Sequence, residues 1–517
     1  MVDADVKSRL WEVANNLWAN TGLRPAQFSV PVLGLIFLRY AEKLFAALED
    51  EIGPVGSGGR RVVTKEDYKA RKAIYLPGTA RWQFLSDLPE DANLGQYLND
   101  AMRAIEEENE DLAGALPRTF KDIPNEVLVG VMRSLAPVQL SGDAFGKVYE
   151  YFLGKFSMAE GQKGGVFFTP ESIVDLIVEI IEPFEGRIFD PTCGSGGMFV
   201  HSAEFAGRAK EGGRVVVYGV EKDGVTVNLN KMNLATHGLT GDIRNANSFY
   251  NAHADLFPDV AAAGGFDFVM ANPPFNVSGV DKERLADDPR FPFGLPSNDN
   301  ANYIFIQMFH SALNETGRAG FVMANSAGDA RGTEAAIRQK LIETGDVDVI
   351  VSVGPNMFLT VTLPCTLWFF DRAKSKTDRA DQVLFLDARK LFEQVTRAHR
   401  RFTEQQIECL ANIVRLWRGE DLFHEHGSAE VLTENGLSDG YVDVPGLCKA
   451  ASRAEIEAQG WSLNPGRYVG ASAAEDDGVD FVARMAELME EFEALTGEAR
   501  GLEARIAENA ADVLGRV

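Results

Sequence analysis

Cysteine is scarce in this chain: four thiols in 517 residues, Cys193, Cys365, Cys409 and Cys448, with no C-x-x-C pair and no histidine cluster beside them. That pattern excludes a disulfide framework and a structural zinc site, and it fits a reducing cytoplasm. Long apolar runs are missing as well. The opening "MVDADVKSRLW" lacks the basic-then-apolar order of a secretory signal. The most apolar early stretch, "VPVLGLIFL", is far shorter than the ~20 residues of a bilayer span, so it reads as a buried helix with no membrane role. Positive charge is short: 51 Lys and Arg stand against 76 Asp and Glu, a net −25. Spread evenly, that charge repels a phosphate backbone. A nucleic-acid enzyme of this composition needs a local basic surface or a partner that grips the polymer.

What is present is ordinary globular composition, 45% hydrophobic and 25% charged, over a length that suits about three domains. Residues 1–145 read as an α-helical domain, with "LWEVANNLW" and "PVLGLIFLRYAEKLFAALEDEI" carrying apolar residues at three- and four-residue spacing. The acidic run in "AIEEENEDLAG" reads as a solvated helix face. From about 165 to 370, short apolar strands alternate with amphipathic segments: "GRIFD", "RVVVYGVE", "GFDFVMA", "RAGFVMAN", "DVDVIVSVG" and "LPCTLWFFD". This alternation predicts an α/β domain, a mainly parallel sheet with helices on both faces, over 146–450. Residues 371–470 are mixed and least readable. Residues 451–517 form a C-terminal segment ending in a long amphipathic helix over 479–514, beyond the linker-like "SAAEDDG". Its apolar stripe, Phe481, Met485, Leu488, Met489, Phe492 and Leu495, suits docking to a partner.

Two loops carry chemistry. In "RIFDPTCGSGGMF", Asp190 ends a strand, and Gly194, Gly196 and Gly197 allow a tight turn with close backbone approach to a ligand. Gly196 is expected to border that ligand, so that valine there would intrude on it. The next strand ends in Glu221, a carboxylate suited to ribose hydroxyls. The cofactor choice is NAD or S-adenosyl-L-methionine. The D-P-x-x-G-S-G-G order, with an acid before the glycines, favours the latter, because Asp190 can hold an ammonium that a pyrophosphate site has no use for. The second loop is "VMANPPFN". Pro273 and Pro274 have no N–H, so the corner presents acceptors: the Asn272 carboxamide oxygen and nearby carbonyls, with the Phe275 ring beside them. Such a corner suits a planar group bearing an NH2.

"FFTPE", "DPTCGSGGMF", "GVE" and "NPPF" occur in the order of the amino-methyltransferases that place the cofactor motif first. With "LWEVANNLW…PVLGLIFLRYAEKLF" and "GKVYEYFLGKF" upstream, the chain closely resembles the modification (M) subunits of type I restriction-modification systems. The resemblance implies a seven-stranded, Rossmann-like S-adenosylmethionine-dependent fold and N6-methylation of adenine flipped out of double-stranded DNA. Its partners would be a specificity (S) subunit that holds the DNA and, through the assembled complex, a restriction (R) subunit. No metal is needed for the transfer. The catalytic residues would be Asn272, Pro273, Pro274 and Phe275. Val166, Phe167, Phe168, Thr169, Pro170 and Glu171 would border the cofactor, Phe168 to Pro170 at its methionine end. Asp190, Gly194, Ser195, Gly196 and Gly197 would hold the amino-acid part and Glu221 the ribose. Asn247 stands where relatives carry aspartate, leaving an acceptor without charge. Asn302 either turns its polar tip to the site or caps its helix. Two other classes of function share these features: methylation of a protein glutamine amide, which poses the same planar problem but whose enzymes usually show N-P-P-Y, and a non-catalytic assembly scaffold, against which the intact N-P-P-F set speaks. A NAD-dependent oxidoreductase fits the glycine loop least.

Overall fold

A computed structural model of the chain describes residues 4–19, 21–52, 64–71, 73–137, 142–160, 169–208, 213–358, 363–396, 399–438 and 440–470. Residues 1–469 form one unit and 470–517 another. The terminal helix expected over 479–514 lies outside the described residues, apart from the single helical position Met489.

Helices fill the N-terminal region. Ala4–Ala19, Pro25–Ile52, Leu94–Glu108, Asn125–Leu135 and Gly142–Glu160 are the long ones. Their apolar faces meet in one core around Phe28, Leu35, Ile36, Phe37 and Leu38, none of which reaches solvent. Trp11 stands edge-on to Phe152 and Phe156, with ring centroids 5.6 and 5.1 Å away, which ties the first helix to the last. The acidic run is not wholly a solvated face. Glu106 is buried and accepts from the Leu116 N–H at 2.7 Å and from Arg118, so one carboxylate of the run is a structural acceptor. Met232, from a helix of the sheet region, enters this same core, and the Tyr149 hydroxyl donates to the Leu229 carbonyl at 3.3 Å.

The sheet has nine strands. In chain order they are β1 (Gly186–Asp190), β2 (Val215–Glu221), β3 (Gly241–Asn245), β4 (Phe266–Ala271), β5 (Leu313–Ala324), β6 (Val347–Val353), β7 (Cys365–Asp371), β8 (Gln382–Ala388) and, after a separate hairpin of β9 (Glu393–Thr396) and β10 (His399–Arg401), β11 (Cys448–Ser452). The spatial order is β11-β8-β6-β7-β5-β4-β1-β2-β3. Seven strands, β3-β2-β1-β4-β5-β7-β6, make the expected sheet. Only β7 runs antiparallel within it, and β8 and β11 extend the far edge. Every residue of β6 and β7 is buried, as in strands covered on both faces.

One covering helix, Glu171–Ile181, buries seven Ile, Val and Leu side chains and packs on β5 at Gly320, where a Cβ would come within 2.7 Å of Ile177. It ends at Glu182 with φ 56°, a left-handed conformation that is uncommon without glycine. A buried ionic layer holds that end. Arg415 of the helix Glu404–Arg418 donates to Glu182 at 2.7 Å and to Glu179 at 2.9 Å, and Arg318 of β5 reaches Glu182 and Glu420. Next to them Arg418 donates to Asp348 of β6 at 2.7 Å, with both side chains out of solvent, and Arg379 meets the other oxygen at 3.2 Å. Burial alone would raise the Asp348 carboxyl, but Arg418, Lys374 and Arg379 hold it below its usual range. Breaking such a pair on one side strands a buried charge. Asp348→Ala is expected to destabilise the chain by about 3–5 kcal/mol in urea unfolding; a loss under about 1 kcal/mol would show that the arginines find other partners.

Candidate active site

Strand order reverses between β1 and β4, so their following loops leave in opposite directions and open a crevice at the carboxyl edge of the sheet. Asp190 closes β1. It is buried, and its Oδ1 accepts from the Thr192 N–H at 2.8 Å and the Thr192 hydroxyl at 3.2 Å. Burial pushes the carboxyl up to about 8 against those two bonds, and Glu221 adds to the rise. No Lys or Arg pairs with it among the described residues. Glu221, at the end of β2, accepts from the Gly194 N–H at 3.2 Å through one oxygen and from the Asp223 N–H at 2.9 Å through the other. Each oxygen keeps a second lone pair. The acid at the end of β2 therefore shapes the glycine loop as well as facing what binds there.

Two asparagines that sequence reasoning passed over hold the same loop from behind. Asn230 donates to the Gly194 carbonyl and Asn233 to the Ser195 carbonyl, each at 2.9 Å, from the helix Gly224–Thr236. Both are fully buried, and their Oδ1 atoms find no partner. The signal was the three-residue repeat in "NLNKMN", which puts both amides on one helix face just downstream of Glu221. Gly196 needs correcting in the same light. A Cβ there would meet the Asn230 carboxamide at 2.9 Å, and the backbone has φ 86°. Glycine is required at 196 by the fold itself, whereas a Cβ on Gly197 would meet nothing within 4 Å.

Across the crevice, Asn272 follows β4. Its Nδ2 donates to the Thr169 hydroxyl at 2.9 Å, joining two motifs 103 residues apart. Thr169 and the buried Pro170 lead into the helix Glu171–Ile181, so the ionic layer at that helix's far end braces the residue that holds Asn272. One N–H of Asn272 is engaged by this bond, which fixes the carboxamide and leaves its oxygen as an acceptor. Pro273 is buried, Pro274 exposed and Phe275 half-buried against the core. The turn is closed from outside. Asn276 sits at φ 54°, its N–H donates to Asn302 Oδ1 at 3.0 Å, and its own Oδ1 accepts from Asn302 and Asn300 at 3.0 and 2.9 Å. Asn302 is thus neither a site-facing tip nor a cap; Ala301 is the capping residue.

Asn247 makes a local turn, its Oδ1 accepting from the Phe249 N–H at 3.1 Å. The buried Arg290, also missed, donates to the Ser248 and Phe249 carbonyls at 2.7 Å each and pairs with Asp288. It latches the long loop after the N-P-P-F turn onto the segment after β3. Glu171 is exposed on a cleft of about 260 Å³ with Asp175, His201 and Glu204, to one side of Asn272's partner Thr169. Burial would lower the His201 imidazole, but Asp175 at 2.7 Å, with Glu150, pushes it up to about 10. Val166, Phe167 and Phe168 lie outside the described residues.

This sheet, with a glycine loop after β1, an acid ending β2 and N-P-P-F after β4, defines a Rossmann-like α/β domain of the methyltransferase type. The family profile "N-6 DNA Methylase" matches residues 140–477, and "HsdM N-terminal domain" matches residues 6–135. The type I restriction enzyme MjaIX methylase subunit of Methanocaldococcus jannaschii is 35% identical, over 98% of this chain and 90% of that protein. The HindI methylase subunit of Haemophilus influenzae is also 35% identical, over 84% of this chain and 98% of its own length. A crystal structure of a type I restriction-modification methyltransferase subunit from Streptococcus thermophilus shares the fold, with TM-score 0.72 at 22% identity, covering 91% of this chain and all of that one. The chain belongs to the N-6 DNA methylase family and is an enzyme of the kind formed by type I restriction methylase subunits. No helix among the described residues is long and apolar enough to cross a membrane.

The residues present fit the methyl donor of this class. A buried carboxylate with no cationic partner among the described residues, as at Asp190, suits an ammonium, and Glu221 has acceptor capacity to spare. Below about pH 8 Asp190 keeps a proton that a cationic ligand must displace, at roughly tenfold in affinity per pH unit. By calorimetry, affinity for S-adenosyl-L-methionine is expected to rise tenfold or more between about pH 6 and 7.5. Asp190→Asn should bind weakly with little pH dependence. Equal pH slopes in the two proteins would remove Asp190 from the ammonium's environment.

Proposed function

We propose that this chain is the catalytic modification subunit of a type I restriction-modification complex, methylating N6 of adenine in double-stranded DNA with S-adenosyl-L-methionine. The observation that carries the reading is the oriented Asn272 carboxamide, held by Thr169 at the mouth of the crevice between β1 and β4. When bound, the cofactor supplies an electrophilic methyl group on a sulfonium. Asp190 and the Gly194–Gly197 loop would hold its amino-acid part, Glu221 its ribose, and Asn247 would lie toward its adenine or the target base.

Adenine N6 is a poor nucleophile because its lone pair is delocalised into the ring. Two acceptors on its two hydrogens, Asn272 Oδ1 and the Pro273 carbonyl, favour a pyramidal nitrogen with the lone pair localised. Neither acceptor is basic enough to keep a proton, so the one released on methylation passes to water. What remains is positioning, which supplies up to ~7–11 kcal/mol in the best-oriented cases. A base inside a duplex cannot reach this corner, so the target is flipped, with the half-buried Phe275 as its stacking surface. The net charge of −25 supports a division of labour in which a specificity subunit grips the DNA and a restriction subunit joins through the assembly. Residence in the cytoplasm goes with this role.

Asn272→Ala is expected to abolish methyl transfer while calorimetric cofactor affinity stays near that of the parent. Thr169→Val frees the Asn272 amide to rotate and should lower kcat by on the order of 10²-fold with little change in cofactor affinity. DNA methylation by Asn272→Ala at the parental rate would overturn the mechanism. Single-molecule sequencing of host DNA with and without the gene tests the product: N6-methyladenine in one split motif is expected, and its absence counts against the reading.

A further inference from the structure

Between β8 and the helix Glu404–Arg418, the hairpin of β9 and β10 stands apart from the main sheet. Four features set it off. The first is charge. In a chain with 25 more acids than bases, residues 389–401 hold five Lys or Arg (Arg389, Lys390, Arg397, Arg400, Arg401) and one carboxylate, Glu393. Arg397 lies outside the described residues; of the others, Arg389, Lys390 and Arg401 are exposed and Arg400 is half-buried.

The second is position. β8 runs parallel to β6, β6 and β5 are both antiparallel to β7, and β5 is parallel to β4. The carboxyl end of β8, from which the hairpin springs, therefore opens on the same sheet edge as Asn272. Four strand spacings separate the two ends in the order β4-β5-β7-β6-β8, a lateral reach of about 19 Å. Along a duplex with a rise of about 3.4 Å per step, that is five or six base pairs from the target.

The third is construction. The Arg400 N–H donates to the Asn356 carbonyl at 2.9 Å, in the loop after β6, and the Arg400 guanidinium lies 3.8 Å over the Phe392 ring. Gly354 in the same loop allows the Arg389 backbone to pass, since a Cβ there would meet the Arg389 carbonyl at 2.7 Å. A two-stranded ribbon is marginal alone; this one is braced at its root.

The fourth is what it leaves unused. All of β9 is exposed, so the hairpin adds little to the core. Lys390 makes no ion pair among the described residues. Arg401 is engaged by the exposed Glu393 at 2.6 Å, and an exposed pair of this kind exchanges for a stronger anion at little loss. Arg389, itself exposed, is held by two bonds, at 2.8 and 2.5 Å, to the largely buried Asp387, which fixes its guanidinium at the root of the hairpin.

Resting on the proposed methylation of DNA, we propose that the Arg389–Arg401 hairpin is a phosphate-contacting element that grips the duplex beside the flipped adenine. It is the local basic surface that the chain's acidic balance calls for, and it confers affinity without reading sequence.

The test uses the full chain assembled with its partner subunit and a labelled duplex of random sequence, with binding followed over a range of salt concentrations. Arg389→Gln/Lys390→Gln/Arg401→Gln should lower the slope of log affinity against log salt by about 2–3 in magnitude, since each lost phosphate contact removes roughly 0.9. Arg389→Lys/Arg401→Lys, which conserves charge, should keep the parental slope. Calorimetric binding of S-adenosyl-L-methionine should be unchanged in both, which excludes misfolding. A parental slope in the triple variant overturns the proposal, and loss of the partner subunit at that unchanged slope assigns the hairpin to protein docking instead. The underlying reading fails separately, if the parental assembly leaves duplex DNA unmethylated.

Discussion

The constraint on which the rest depends is the reversal of strand order between β1 and β4. Parallel strands put their carboxyl ends on one edge, and the reversal sends the next connections to opposite faces, so a crevice opens between the two loops. Asp190 and Asn272 end the two strands that border this gap. The glycine loop, Glu221 and the N-P-P-F turn all take their positions from it. The N-terminal helices join the same body through Met232 and through the bond from Tyr149 to the Leu229 carbonyl; Leu229 and Met232 lie on the helix whose other residues, Asn230 and Asn233, hold the glycine loop. One helix therefore faces the helical core on one side and the cofactor loop on the other.

Around the crevice, polar side chains bury themselves to fix backbone that the sheet cannot fix. Asn230 and Asn233 hold two carbonyls of the loop, Asn302 and Asn300 hold the left-handed Asn276, and Arg290 holds two carbonyls after β3. Loops lack the ladder bonds of strands, and a buried unpaired carbonyl or N–H is costly, so side-chain amides and guanidinium groups replace the missing partners. The Glu179, Glu182, Arg318 and Arg415 layer does the same at larger scale. It clamps the far end of the helix whose first turn presents Thr169 to Asn272. Rigidity in these supports suits a reaction that is mainly a matter of placement.

Legibility followed period and local chemistry. β1, β2, β4, β6 and β7 were readable because each is a short apolar run between turn signals. β5 was found only in its second half, because its first residues, "LNETG", are polar. β8 and β11 sit in the stretch that read as mixed. "QVLFLDA" is as apolar as any strand, but it follows a charged turn, and "CKAAS" has no strand pattern at all. It pairs because β8 offers an open edge. Asn302 looked like a cap from its place at a helix start, yet its amide is spent on a residue 26 positions earlier.

By itself the sequence determined the helical N-terminal region, the parallel sheet, the ordered motifs and the places of Asp190, Glu221 and Asn272 at the ends of strands, because periodicity and turn chemistry act between near neighbours in the chain. Only the tertiary structure decided that Thr169 orients Asn272, that Gly196 yields space to Asn230, that Glu106 is buried, and that a basic hairpin stands on the same sheet edge as Asn272. Each of these joins residues far apart in sequence, and a contact of that kind exists only once the sheet order has set which strand ends are neighbours.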